Sequence, residues 1–100
     1  MARVSIPIPT AQLAEFCRRN HIRQLALFGS VLREDFSPNS DVDVLVEFEP
    51  GAAIGMMALS RMQRELSELL SRPVDLVPRS GLKPVIRDSV LASAVDVYVA

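Results

Sequence analysis

Two aspartates separated by one residue are the feature of this sequence that most directly suggests chemistry. Asp41 and Asp43 open the alternating segment DVDVLVEF. On a β-strand, both carboxylates would project from one face, with Cα atoms about 6.5 Å apart. Like charges at that spacing repel, and hard cations such as Mg²⁺, which prefer carboxylate and phosphate oxygens, relieve the repulsion. The pair therefore predicts a metal site.

A candidate phosphate-binding turn precedes the two aspartates. The apolar run Leu25–Phe28 ends at Gly29-Ser30. Glycine lets a backbone approach a ligand closely, and serine can cap a following short helix whose amides attract phosphate. Arg33 could reach a phosphate oxygen, and Ser40 either contacts phosphate or only shapes its turn. Phosphoryl and nucleotidyl transfer need both such a turn and a metal site.

A third carboxylate, Asp75, interrupts the apolar strand candidate Val74–Val77. Alone, it would more often be an exposed residue of an edge strand. If its strand lies beside Asp41–Phe48, however, three carboxylates converge on one edge of the sheet. That arrangement is what two metal ions about 4 Å apart require.

The elements that must position these residues follow from hydrophobic periodicity and turn residues. We expect a helix over Ala11–Asn20 capped by Thr10, a long helix over Ile54–Ser71 and a last helix over Pro84–Ala94, with a short terminal strand over Val95–Val99. A stripe on the long helix is predicted to face the core: Met56, Leu59, Met62, Leu66 and Leu69. The fold class is α/β (α+β), with a three- or four-stranded mixed sheet and helices packed on it.

Composition restricts the other possibilities. The 100 residues suit one domain over residues 1–100, and 49% hydrophobic with 23% charged residues is typical of a globular chain. The sequence has no apolar run of bilayer length and no signal peptide at its start, which favours the cytoplasm. Cys17, the single cysteine, excludes an internal disulfide and is expected to be a buried thiol. Eleven basic against twelve acidic residues argue against direct nucleic-acid binding.

Four further polar or acidic residues are not expected in the site. His21 is predicted to be a surface or capping residue near a helix end. Glu47 and Glu49 lie too far along the strand to reach the metals and are expected to be solvated. Tyr98 has no evident catalytic setting.

Gly29-Ser30, ten intervening residues and then Asp41-x-Asp43 match the signature of the polymerase-beta-like nucleotidyltransferase superfamily. The chain most resembles its minimal nucleotidyltransferase branch, although Glu34 stands where relatives often have glycine. The resemblance implies a polymerase-beta-like fold. It also implies that the first two aspartates bind two Mg²⁺ (Mn²⁺ is a possible substitute), and that Asp75 helps hold the catalytic metal and activates the acceptor hydroxyl.

The resemblance further implies a partner. Many minimal nucleotidyltransferases (MNT) are antitoxins paired with a HEPN-domain toxin, a small helical ribonuclease, and they transfer AMP from ATP to a tyrosine of that toxin. Two alternatives stay open: an antitoxin that acts by occlusion alone, and an enzyme that modifies a small molecule. The sequence leaves open the acceptor, the base preference, the number of AMP groups and whether the assembly is a hetero-oligomer or a homodimer.

Overall fold

A computed structural model describes residues 8–29 and 41–100 of the chain. These two stretches contain three α-helices, four strands and one short 3-10 helix. In chain order they are α1 (Thr10–Arg19), β1 (Ile22–Phe28), β2 (Val42–Phe48), α2 (Met56–Leu70), β3 (Val74–Pro78), the 3-10 helix (Arg79–Gly81), α3 (Pro84–Ser93) and β4 (Val95–Val99).

The four strands form one mixed sheet in the order β3-β2-β1-β4. β1 runs antiparallel to both β2 and β4, whereas β2 and β3 are parallel. Parallel neighbours need a crossover connection, and α2 supplies it between β2 and β3. The predicted mixed sheet is confirmed, with four strands rather than three.

One face of the sheet carries the main core, beneath α1 and α2. Alternate residues of β2 point into it, which is the period-2 pattern of a strand. Its buried members are Leu13, Phe16, Cys17, Ile22, Leu25, Leu27, Val42, Val44, Val46, Met62, Leu66, Leu70, Val74 and Leu76. Burying each large aliphatic or aromatic side chain contributes roughly 1.5–3 kcal/mol, so this face supplies most of the stability of the fold.

The opposite face of the sheet is partly covered by α3. Ala26, Leu45 and Leu82 are buried there, packed against apolar residues of α3. Leu45 therefore sits in a second small core, although its neighbours two residues away on β2 are acidic. One of these, Glu47, keeps partial solvent exposure, as expected, and also forms an ion pair with Arg79 at 2.9 Å that the sequence did not predict.

Two local predictions are corrected by the structure. Met56 is 85% exposed, because it occupies the first position of α2, and the inward face begins further along the helix. Thr10 is the first helical residue rather than the cap. Pro9 takes the cap position, since its carbonyl accepts the first helical hydrogen bond from the Leu13 amide at 2.9 Å.

Over residues 8–29 and 41–100, none of the helices combines the length and the apolar character that crossing a bilayer demands.

Candidate functional site

Asp43 and Asp75 are direct partners across the parallel pair β2–β3. Neighbouring strands lie about 4.8 Å apart, and register partners point to the same face of a sheet. That face is the one that carries Leu45 and α3, because Leu45 lies two residues after Asp43. The sheet thus brings together two carboxylates that are far apart in the sequence, and the condition stated for their convergence, that the two strands are neighbours, is met.

Asp41 lies immediately before β2, exposed at the end of the sheet. It is close enough for its charge to act on Asp43. The pKa of the Asp43 carboxyl is raised above its ordinary value, first by burial and then by the negative charges of Asp75 and Asp41. All three causes act in the same direction, as expected for a cluster of like charges. The three predicted aspartates therefore form one electrostatic cluster.

Gly29 lies beside this cluster, and both its backbone conformation and its close contact with Asp43 require glycine. It follows Phe28, the partner of Asp43 on β1, and its φ of +76° lies in the left-handed region that favours glycine. A Cβ at this position would overlap Oδ2 of Asp43 and lie 3.2 Å from its Cγ. The Asp43 carboxylate occupies the space that a side chain at position 29 would fill. The packing of Gly29 against Asp43 therefore requires a residue without a side chain.

The other residues predicted to bind phosphate, Ser30, Arg33 and Ser40, lie outside the described residues. Their roles stay predictions. Gly29 also belongs to the predicted triphosphate turn. The structure describes this residue, which lies against Asp43.

The donor set fits a hard divalent cation. Three carboxylates supply the oxygen ligands that Mg²⁺ prefers, and a cation would offset the repulsion that raises the pKa of Asp43. Within residues 8–29 and 41–100, no three acidic, thiol or imidazole groups already stand around a single ion position. The backbone register already pairs Asp43 with Asp75 on one face of the sheet.

The raised pKa of Asp43 predicts how stability depends on pH. A folded-state pKa above the ordinary 3.8 means that the folded chain binds the proton more tightly than the unfolded chain. Stability without metal therefore falls as pH rises through the window just above 3.8. We expect Asp43→Asn to raise Tm by a few degrees at pH 7, which corresponds to less than about 1 kcal/mol after solvent screening. The gain should shrink toward zero near pH 4.

Thermal melts of wild-type and Asp43→Asn protein in EDTA, at both pH values, measure this difference. A clear loss of stability at pH 7 would show that Asp43 has a structural role instead.

Two residues that the sequence did not single out flank Asp75 from outside the sheet. The amide of Val74 donates to Ser67 Oγ at 3.1 Å, and the amide of Leu76 donates to Gln63 Oε1 at 2.9 Å. Both acceptors belong to α2. The sequence signal for these two residues was weak. They are polar residues four positions apart beside the apolar stripe of a helix, and such a pattern usually indicates only a solvated side of the helix.

Other polar groups and clefts lie away from the cluster. His21 is exposed and lies 3.8 Å from Glu49, at the far end of β2. A cleft of about 460 Å³ also lies toward that end, against Phe48, Arg79 and Arg87. Neither includes any of the three aspartates. The candidate active site is the acidic cluster with Gly29 beside it.

A comparison with known protein families identifies the class of protein to which this fold and candidate site belong. Residues 11–97 match the nucleotidyltransferase domain family. The match spans most of the chain, and the chain belongs to this family: it is a nucleotidyltransferase.

Individual relatives and solved structures show which nucleotidyltransferases this chain resembles. The chain is 37% identical to protein adenylyltransferase MntA of Thermococcus cleftensis over 90 residues, which cover 90% of this chain and 89% of the relative. Its structure resembles a chain in a crystal structure of a toxin–antitoxin pair with AMP-PNP (TM-score 0.74, 21% identity, 93% of this chain and 75% of that one). It also resembles a chain in the complex of tri-AMPylated Shewanella oneidensis HEPN toxin with MNT antitoxin (TM-score 0.65, 20% identity, 91% and 70%). These likenesses confirm the predicted fold.

Proposed function

We propose that this nucleotidyltransferase is an antitoxin that transfers AMP from ATP, with Mg²⁺, to a hydroxyl group of a HEPN-domain toxin. The observation that carries the proposal is the pairing of Asp43 with Asp75 beside the Gly29 turn. Metal-dependent nucleotidyl transfer needs carboxylates next to a phosphate-binding turn. A cytoplasmic location, where ATP and Mg²⁺ are available, is part of the same proposal.

Each residue has a distinct role in the proposed reaction. Asp41 and Asp43 would hold two Mg²⁺ ions, which when bound neutralise charge on the triphosphate. Gly29 and Ser30 orient the triphosphate, with Arg33 and Ser40 as further contacts. Asp75 accepts the proton of the acceptor hydroxyl. The acceptor oxygen then forms a bond to the α-phosphorus while the bond to pyrophosphate breaks, so one AMP is transferred and one pyrophosphate leaves.

A protein acceptor is supported by the openness of the site and by the relatives. Asp41 and Asp75 are both exposed, so an acceptor carried by another chain can reach them. The relative from Thermococcus is a protein adenylyltransferase, and a structural neighbour comes from a complex that contains an AMPylated HEPN toxin. A tyrosine hydroxyl is the acceptor that the family resemblance favours.

The proposal is tested by incubating the chain with a HEPN-domain toxin, Mg²⁺ and ATP, and then measuring the intact mass of that toxin. We expect discrete increments of one AMP group. The matched control is α,β-methylene-ATP, which cannot release pyrophosphate and should give no increment. Tight binding of the toxin with no increment would favour occlusion. In a parallel assay with a small-molecule acceptor such as an aminoglycoside, transfer to that molecule instead would favour the small-molecule enzyme.

A further inference from the structure

Among residues 8–29 and 41–100, β3 carries Asp75 at the edge of the sheet, with a neighbouring strand on one side. Backbone groups of a strand alternate in direction, so half of those in an edge strand point away from the sheet. The Val42 amide donates to the Pro73 carbonyl at 2.8 Å, so the backbone carbonyl of Pro73 points toward β2. The backbone groups of Asp75, two residues later, point the same way. Val74 and Leu76 therefore direct their amides to the open side.

Side chains of α2 occupy that open side. Gln63 accepts the hydrogen bond of Leu76, and Ser67 accepts that of Val74, one on each side of Asp75. Val74 and Leu76 are buried, so the two amides have little access to water that could replace these partners. On the outer side of β3, the two backbone amides next to the aspartate are thus hydrogen-bonded to α2.

The hydroxyl of Ser67 is oriented for this role. It donates its single proton to the backbone carbonyl of Gln63 at 2.8 Å, which leaves its lone pairs for the amide of Val74. The two acceptors are also four residues apart on one helix, so they lie on the same side of it. Helix and strand are joined by a short continuous series of hydrogen bonds.

We infer that Gln63 and Ser67 are positioning residues that hold Asp75 opposite Asp43 for nucleotidyl transfer. This inference rests on the proposed function, in which Asp75 takes the acceptor proton. Hydrogen bonds to β2 fix one side of β3, and the two α2 side chains fix the other. Without them the strand can shift at its edge, and displacements of about 1 Å in a catalytic group can lower rates about 100-fold.

The first test is amide hydrogen exchange, measured by NMR on the chain alone. Gln63→Met keeps the length of the side chain and removes its acceptor oxygen, whereas Gln63→Glu keeps the acceptor. We expect exchange at Leu76 to accelerate about 10-fold or more in Gln63→Met, with little change at Val44 on β2. Gln63→Glu should retain most of the protection. Unchanged exchange at Leu76 in a folded Gln63→Met variant would overturn the inference.

The second test separates positioning from general destabilisation. With the HEPN acceptor and well below Tm, Gln63→Met should lower kcat about 10- to 100-fold. KM for ATP should change by less than about twofold, because Asp41 and Asp43 remain. Gln63→Glu should recover most of the lost kcat. Ser67→Ala and Ser67→Thr form the second such pair, and they carry the test alone if Gln63→Met does not fold.

Ser60→Ala, on an exposed part of α2, is the control and should leave kcat unchanged. Asp75→Asn, run in parallel, distinguishes the two possible failures. If Asp75→Asn is as active as wild type, the proposed function of the site fails. If Asp75 is required but Gln63→Met and Ser67→Ala keep wild-type kcat, only the positioning role is wrong.

Discussion

We expect Mg²⁺ and ATP to stabilise the wild-type chain against heat, and replacing Asp41 and Asp43 together with asparagine should abolish that stabilisation. A ligand present at 100 times its Kd stabilises a native protein by about 2.7 kcal/mol, which for a chain of this size raises Tm by roughly 10 °C or more. Without ligand, the double variant should melt at or slightly above the wild-type temperature, because removing like charges relieves the repulsion around Asp43.

Differential scanning fluorimetry with and without Mg²⁺ and ATP measures both effects. Asp88→Asn, which removes an exposed carboxylate from α3, is the matched control and should keep the full shift. An undiminished shift in the double variant would remove both aspartates from the site. If the proposed antitoxin function holds, the wild-type chain should restore growth of cells that express a HEPN toxin, and the same variant should lose most of that rescue. Full rescue by a variant that still binds the toxin would mean that occlusion is sufficient.

Asp75→Asn should separate binding from transfer. The substitution is nearly isosteric, so the pairing of β3 with β2 should persist. Mg²⁺ and ATP should still bind, since Asp41 and Asp43 remain. The rate of AMP transfer should fall by about 1,000-fold or more, because the acceptor hydroxyl loses both its base and a ligand of the catalytic metal.

Single-turnover assays under saturating ATP, followed by intact mass of the acceptor, measure that loss. The fluorimetry shift of Asp75→Asn serves as its internal control for binding. Transfer at the wild-type rate would exclude Asp75 from the chemistry and would leave a nucleotide-binding site of two carboxylates.

The sequence predicted the residues of the acidic cluster better than it predicted their surroundings. The spacing of Asp41 and Asp43 on a strand is a local property, so alternation alone predicts a shared face. The partnership of Asp43 with Asp75 depends on which strands become neighbours. From the sequence, that partnership followed only if the two strands were neighbours, and the parallel register of β2 and β3 meets this condition.

Non-local contacts explain the remaining differences. Leu45 lies among acidic residues on β2, and nothing in that segment shows that α3 will cover it. Gln63 and Ser67 act on backbone amides of a strand that follows after the end of their helix, and a helical pattern does not reveal such partners. Met56 matches the periodicity of the core stripe but precedes the part of α2 that packs on the sheet.

The burial of Cys17 has a practical consequence for labelling. Its side chain lies on the inward face of α1 and is fully buried, and burial raises the pKa of the thiol to about 12. The thiolate is the reactive form, so this cysteine should resist maleimides and iodoacetamide at neutral pH while the chain is folded. A second cysteine placed at an exposed position such as Ser60 can then carry a fluorophore at a single defined point, with the native thiol left in place.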